Sequence, residues 1–120
     1  MTPEEWIAHD PDPRTAAELA ACGPDELAAR FAHPLTFGTA GLRGPVRGGP
    51  DAMNVAVVSR ATWAVAQVLR RRAPAGAQVV VGRDARHGSA VFGTVTAEVL
   101  ADQGFSVLLL PGPVPTPVVA

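Results

Sequence analysis

The sequence predicts an α/β fold, and three observations predict it. Gln78 to Gly82 (QVVVG) is a β-branched run without polar alternation, the pattern of a strand buried on both faces. Phe105 to Leu110 (FSVLLL) is a second run of the same kind. Between them, from Ser89 to about Gln103, Phe92, Val95 and Val99 fall on one side at helical spacing. Strand, loop, helix and strand in that order form a βαβ unit with parallel strands and a right-handed crossover.

The segment before this unit reads as a short helical arm, residues 1–34, without a core of its own. Thr2 is placed to cap a helix that opens with Pro3, Glu4 and Glu5. Asp12-Pro13 repeats the pattern, and this second helix runs to Cys22 and stops at Gly23. Gly23-Pro24-Asp25 begins a third, ending near Ala32. Residues 35–120 form the second region, an incomplete α/β domain.

Asn54 can cap a longer helix that extends to about Arg72. Val58, Ala61, Val65, Val68 and Leu69 share one predicted face, with Arg60, Gln67 and Arg71 opposite. Such a helix lies on a sheet. Arg70 to Arg72 complement the negative end of its dipole, and Pro74 and Gly76 end the segment. Beyond the second strand, Thr116-Pro117 has the form of a helix start. Two parallel strands make a thin core, so the sequence reads as the front part of a longer protein.

Composition bounds the function. A hydrophobic content of 48% with a mean hydropathy of +0.18 supports a packed core. A net charge of −1 gives no general attraction to nucleic acid or to an anionic membrane. The ten basic residues are all arginine, so any anion site must use Arg or backbone N–H. The single cysteine, Cys22, has no internal partner for a disulfide and fits a reducing cytoplasm. The N-terminus lacks the apolar run of a signal peptide, and no stretch suits a membrane span.

Two segments carry chemistry. The loop Gly82 to Ser89 follows the first strand, where ligands of open parallel sheets bind, and the next helix aims its N–H groups there. Arg83, Asp84, Arg86, His87 and Ser89 gather in it, and an anion such as phosphate is the natural guest. The structural alternative pairs Asp84 with Arg86 and uses Ser89 as a helix cap. Ser89 as a nucleophile with His87 as base lacks a third orienting group. The second segment, Phe37 to Gly44 (FGTAGLRG), sets Arg43 between Gly41 and Gly44, with Phe37 and Leu42 as expected apolar anchors. Neither GxxxxGK[ST] nor GxGxxG occurs after a strand. His9, His33 and His87 have no metal-ligand spacing to one another or to Cys22, and no acidic cluster offers a divalent-ion site.

FGTAGLRG, then VVVGRDARHGS, then LLLPGPVPTP resemble the first domain of the α-D-phosphohexomutases, a superfamily that includes phosphoglucomutases and phosphomannomutases. The likeness spans about Leu35 to Ala120, and the arm is similar to the N-terminal extension of a bacterial branch. The resemblance implies a three-layer α/β/α domain with a mostly parallel or mixed sheet. It implies interconversion of hexose 1-phosphate and 6-phosphate through a phosphoserine and a hexose 1,6-bisphosphate, with Mg2+ in the full-length parent. By the same resemblance Arg43, with Thr39 and Gly41, binds the substrate phosphate, while Arg83, Asp84, Arg86, His87 and Ser89 form a supporting loop.

The family's TASHNP-type phosphoserine segment has no counterpart here; Ser59, Ser89 and Ser106 all lack that context. The nucleophile is therefore expected beyond Ala120, and the metal ligands and remaining domains with it. Alone, the chain is expected to be inactive, with a phosphosugar and the rest of its parent as partners, and neither nucleic acid nor membrane. A non-catalytic sugar-phosphate or anion-binding module is the competing reading. A flavodoxin-like or dinucleotide-binding half-domain is disfavoured because neither fingerprint is present.

Overall fold

The computed structural model describes residues 1–39, 41–86 and 88–115, so the expected helix start at Thr116 lies outside the described residues. The chain divides into two compact units, Met1–Val57 and Val58–Ala120.

The first unit opens with α1 (Pro3–His9), α2 (Pro13–Ala20) and α3 (Pro24–Ala32). Each begins with proline, whose missing N–H costs nothing in a first turn. Thr2 accepts from the Glu5 N–H at 3.1 Å, and Asp12 from the Arg14 N–H at 2.9 Å. The second helix stops at Ala20, short of the expected Cys22, as the Ala21 N–H turns back to the preceding carbonyls. The first unit has a core, built by arm residues together with Ala56 and Val57 from the following segment. Trp6, Leu19 and Ala56 are buried, with Ile7, Leu27, Phe31 and Val57 against them. Trp6 meets Phe31 edge-on, ring centroids 5.7 Å apart.

The long helix α4 (Val55–Arg72) starts in this unit, where the Asn54 side-chain oxygen accepts from the Val57 N–H at 3.0 Å, as predicted. The second unit holds the rest of α4, then β1 (Gln78–Val81), α5 (Ser89–Asp102) and β2 (Ser106–Leu109). β1 and β2 pair in parallel, Val79 opposite Val107 and Val81 opposite Leu109. The α/β class and the βαβ order are as predicted. Ala66, Val81, Leu100 and Phe105 form the core, with Leu69, Ala77, Val79 and Val107 packed on it.

Two expectations change. The strands are not buried on both faces: Val80 and Leu108, register partners on one face, are 42% and 47% exposed. The face of α4 is as predicted at Val58 and Leu69 but turned between them. Val58, Thr62 and Ala66 are buried, while Val65 and Val68 are exposed. Gln67, expected opposite the core, instead donates to Gln103 at 2.9 Å. Ala66 takes the core position, clustered with Val81, Leu100 and Phe105.

Candidate functional site

In the second unit, the chain leaves β1 at Val81 and turns through Gly82, Arg83, Asp84, Ala85 and Arg86 toward α5. An open cavity of about 340 Å3 lies here, walled by Arg83, Asp84, Arg86, Ser89, Phe92 and Val114 among others. Asp84 organises the loop. One carboxylate oxygen accepts from the Ser89 hydroxyl at 2.8 Å and from the Arg86 N–H at 3.0 Å. The other accepts from Arg86 Nε at 2.6 Å. The Ser89 hydroxyl, and next the Arg86 backbone N–H, hold the Asp84 carboxyl below the usual carboxylate range.

The expected Asp84–Arg86 pair is therefore present. Ser89, however, does not cap the helix. Gly88 takes the N-cap position with φ of 86°, and among the described residues no side-chain cap bonds the helix end. Ser89 is the first helical residue, and its hydroxyl bonds to Asp84 instead of to the helix end. His87 lies outside the described residues. Arg83 is half-buried, its stem lying on α5 where Gly93 has no side chain. Among the described residues no hydrogen bond or ion pair engages the Arg83 guanidinium. The Val114 N–H donates to the Arg83 carbonyl at 2.7 Å, which brings the segment after β2 to the cavity wall.

In the first unit, Gly38 and Gly41 exchange both backbone hydrogen bonds at 3.0 Å and close a tight bend with exposed Thr39 in it. Gly41 has φ of +91°, a left-handed conformation that other residues adopt at a cost. Arg43 follows two residues on and is exposed, as is Gly44. The anchoring differs from expectation. Phe37 is 60% exposed, and only Leu42 is half-buried. What pins the loop is its base: an ideal Cβ on Gly44 would sit 2.9 Å from Leu35 Cδ1, so the backbone and Leu35 are pressed together.

Residue-based reasoning about the site passed over Arg30 and Glu18, which hold the turn beyond Arg43. A guanidinium on a short surface helix carries no periodic signal that it is buried. Among the described residues no group of three or more His, Cys, Asp or Glu could hold a metal ion. The Mg2+ implied by the resemblance has no fitting ligand set among them, and no step is assigned to it. No helix among the described residues is long and apolar enough to cross a membrane.

These two arginine-bearing loops lie in the part of the chain matched by one family model. Residues 34–120 match phosphoglucomutase/phosphomannomutase, alpha/beta/alpha domain I. The chain belongs to the phosphoglucomutase/phosphomannomutase family. Among relatives of this family, a phosphoribomutase of Saccharomyces cerevisiae is 37% identical over 85% of this chain and 17% of its own length. A probable phosphoribomutase of Schizosaccharomyces pombe is 34% identical over 97% of this chain and 21% of its own. A phosphoglucosamine mutase of Ruegeria pomeroyi is 41% identical over 69% of this chain and 18% of its own. The chain spans about a fifth of the length of these curated relatives. No solved structure matches it.

Proposed function

We propose that this chain is the phosphate-engaging N-terminal part of a cytoplasmic phosphosugar mutase that interconverts hexose 1-phosphate and 6-phosphate. In the reaction, an enzyme phosphoserine passes its phosphoryl group to the free hydroxyl of a sugar monophosphate, giving a hexose 1,6-bisphosphate. After the sugar turns around, the other phosphoryl group returns to the serine. Arg43 contributes the fork of N–H donors that binds non-bridging oxygens as charge develops on them. Thr39 and Gly41 shape the backbone beside it.

The observation that carries this reading is the closed Gly38–Gly41 bend, which brings Arg43 out on an exposed loop inside the matched domain. The serine nucleophile, the Mg2+ ligands and the sugar-reading groups come, in this reading, from residues outside 1–120. The names of the relatives, a phosphoribomutase and phosphoglucosamine mutases, keep pentose and amino-sugar phosphates in view as substrates. Calorimetric titration of the chain with glucose 1,6-bisphosphate tests the reading. Saturable binding that Arg43→Ala weakens about tenfold or more supports it. No heat above dilution, with the protein shown to be folded, overturns it. A coupled mutase assay of the chain by itself is expected to show no interconversion.

A second reading has its own observation: Arg83, at the wall of the cavity beside the N-terminus of α5, has a guanidinium engaged by no hydrogen bond or ion pair among the described residues. There the chain acts as an anion-binding module without catalysis. Inorganic phosphate binding that is lost in Arg83→Ala and unaffected by Arg43→Ala favours this second reading over the first.

A further inference from the structure

We infer that the helical arm sets the position of the Arg43 loop through one ion-pair grip, with Arg30 and Glu18 as positioning residues; the consequence for phosphosugar binding rests on the reading of Arg43 above. Arg30, on α3, is only 7% exposed, a place where a guanidinium persists only if its charge is matched. Its Nη1 donates to Glu18 Oε1 at 2.6 Å and to the Gly48 carbonyl at 3.2 Å. Its Nη2 donates to Glu26 at 2.7 Å. Glu18 then accepts from the Gly48 N–H at 3.2 Å through its second oxygen. The carbonyl and the N–H of one glycine are thus both held by side chains of the arm. Glycine favours this approach, because an ideal Cβ on Gly48 would lie 3.0 Å from Leu19 Cγ and 3.1 Å from the Thr15 carbonyl oxygen, tight enough that those neighbours would have to shift.

From Gly48 the hold runs without a gap to the base of the loop. Asn54 Nδ2 donates to the Arg47 and Gly49 carbonyls, at 2.8 Å each, and closes the turn around Gly48. Pro50 in that turn accepts from the Leu35 N–H at 2.9 Å. The Met53 N–H donates to the Pro45 carbonyl at 2.8 Å. Leu35 and Pro45 flank the Gly38–Gly41 bend and Arg43. Both ends of the loop are therefore tied to the turn that Arg30 and Glu18 grip. A purely stabilising role would be served as well by an apolar side chain of similar volume, without the cost of burying a charge. A guanidinium that engages two carboxylates and one backbone carbonyl at once supplies direction instead.

Amide hydrogen exchange of the 120-residue chain, read residue by residue by NMR, tests the coupling. Glu18→Gln retains an acceptor for Arg30, but its amide nitrogen cannot accept from the Gly48 N–H. In this variant the amides of Gly48, Leu35, Gly38 and Gly41 are expected to exchange about tenfold faster, while Ser106 and Leu110 keep their rates. Faster exchange at Gly48 with unchanged rates at Gly38 and Gly41 overturns the inference. If the variant does not fold, the wild type decides: in low urea Gly48, Gly38 and Gly41 should share one opening isotherm, and separate isotherms overturn the inference. Titration with glucose 1,6-bisphosphate separates the two levels. Coupled exchange without sugar binding supports the grip and overturns the reading of Arg43. Sugar binding without coupled exchange overturns the grip alone.

Discussion

Gly41 donates one hydrogen bond to Gly38 and accepts one from it, each of 3.0 Å, and does so with a backbone only glycine adopts cheaply. Among the described residues, none beyond its chain neighbours stands within 4 Å of where a Cβ at Gly41 would be. Replacing it therefore tests conformation without crowding. Gly41→Ala should cost about 1 kcal/mol through the left-handed backbone alone. Urea unfolding monitored by circular dichroism measures this, and a neutral result would mean the bend is not held as described.

Gly48 offers the contrasting case. Its φ is not positive, and the penalty for a side chain there is steric, against Leu19 and Thr15 of α2. Gly48→Ala should destabilise the chain by about 1–3 kcal/mol, the range for forcing a methyl into packed surroundings. The same unfolding experiment measures this, and a neutral result would mean that Leu19 and Thr15 make room for the methyl.

Acid should loosen the arm. The hydrogen bond from Arg30, and less so the Gly48 N–H, hold the Glu18 carboxyl below its ordinary value of 4.5. A carboxyl whose folded pKa is depressed contributes stability that is present above about 4.5, its unfolded value, and lost as pH falls through the lower folded one. Glu18 is partly exposed, so solvent screening keeps the effect small. Melting temperature should stay level from neutral pH to about 5 and then fall, with Glu18→Gln flattening part of that fall. An identical acid profile in the variant would contradict this role for Glu18.

Ser89 donates its hydroxyl to Asp84 at 2.8 Å and lacks the family's phosphoserine surroundings. Ser89→Ala should leave affinity for glucose 1,6-bisphosphate within about twofold, while loosening the turn ahead of α5. Incubation with labelled sugar bisphosphate followed by mass spectrometry should find no phosphate on Ser89. A phosphorylated Ser89 would reassign the residue.

What could be read from the residues depended on whether the signal was local. The proline-led helix starts, the Asn54 cap and the βαβ order all follow from neighbouring residues, and all are present. The Asp84–Arg86 pair was legible for the same reason, being closed within one turn. Partners distant in sequence were not legible. Arg30 finds its Gly48 carbonyl across a fold that no period encodes. The face of α4 went astray because periodicity ranks valine above alanine, whereas packing chose Ala66 and left Val65 and Val68 outside. Likewise Phe37 looked like an anchor by hydrophobicity alone, yet it is exposed.

The exposed pair of Val80 and Leu108 gives a prediction about solution behaviour. Val80→Thr and Leu108→Thr together should cost less than about 1 kcal/mol, because neither side chain belongs to the core. They should also lower the light scattered by concentrated samples. Scattering equal to the wild type would show that this face does not drive association.

The role of Arg43 is tested most directly by following backbone amide shifts of the chain during titration with glucose 1,6-bisphosphate. The account predicts saturable shifts at Gly41, Leu42, Arg43 and Gly44, abolished by Arg43→Ala while the shifts of β1 and β2 stay in place. A folded wild-type chain whose Gly41 to Gly44 amides do not move as the sugar is added would contradict it.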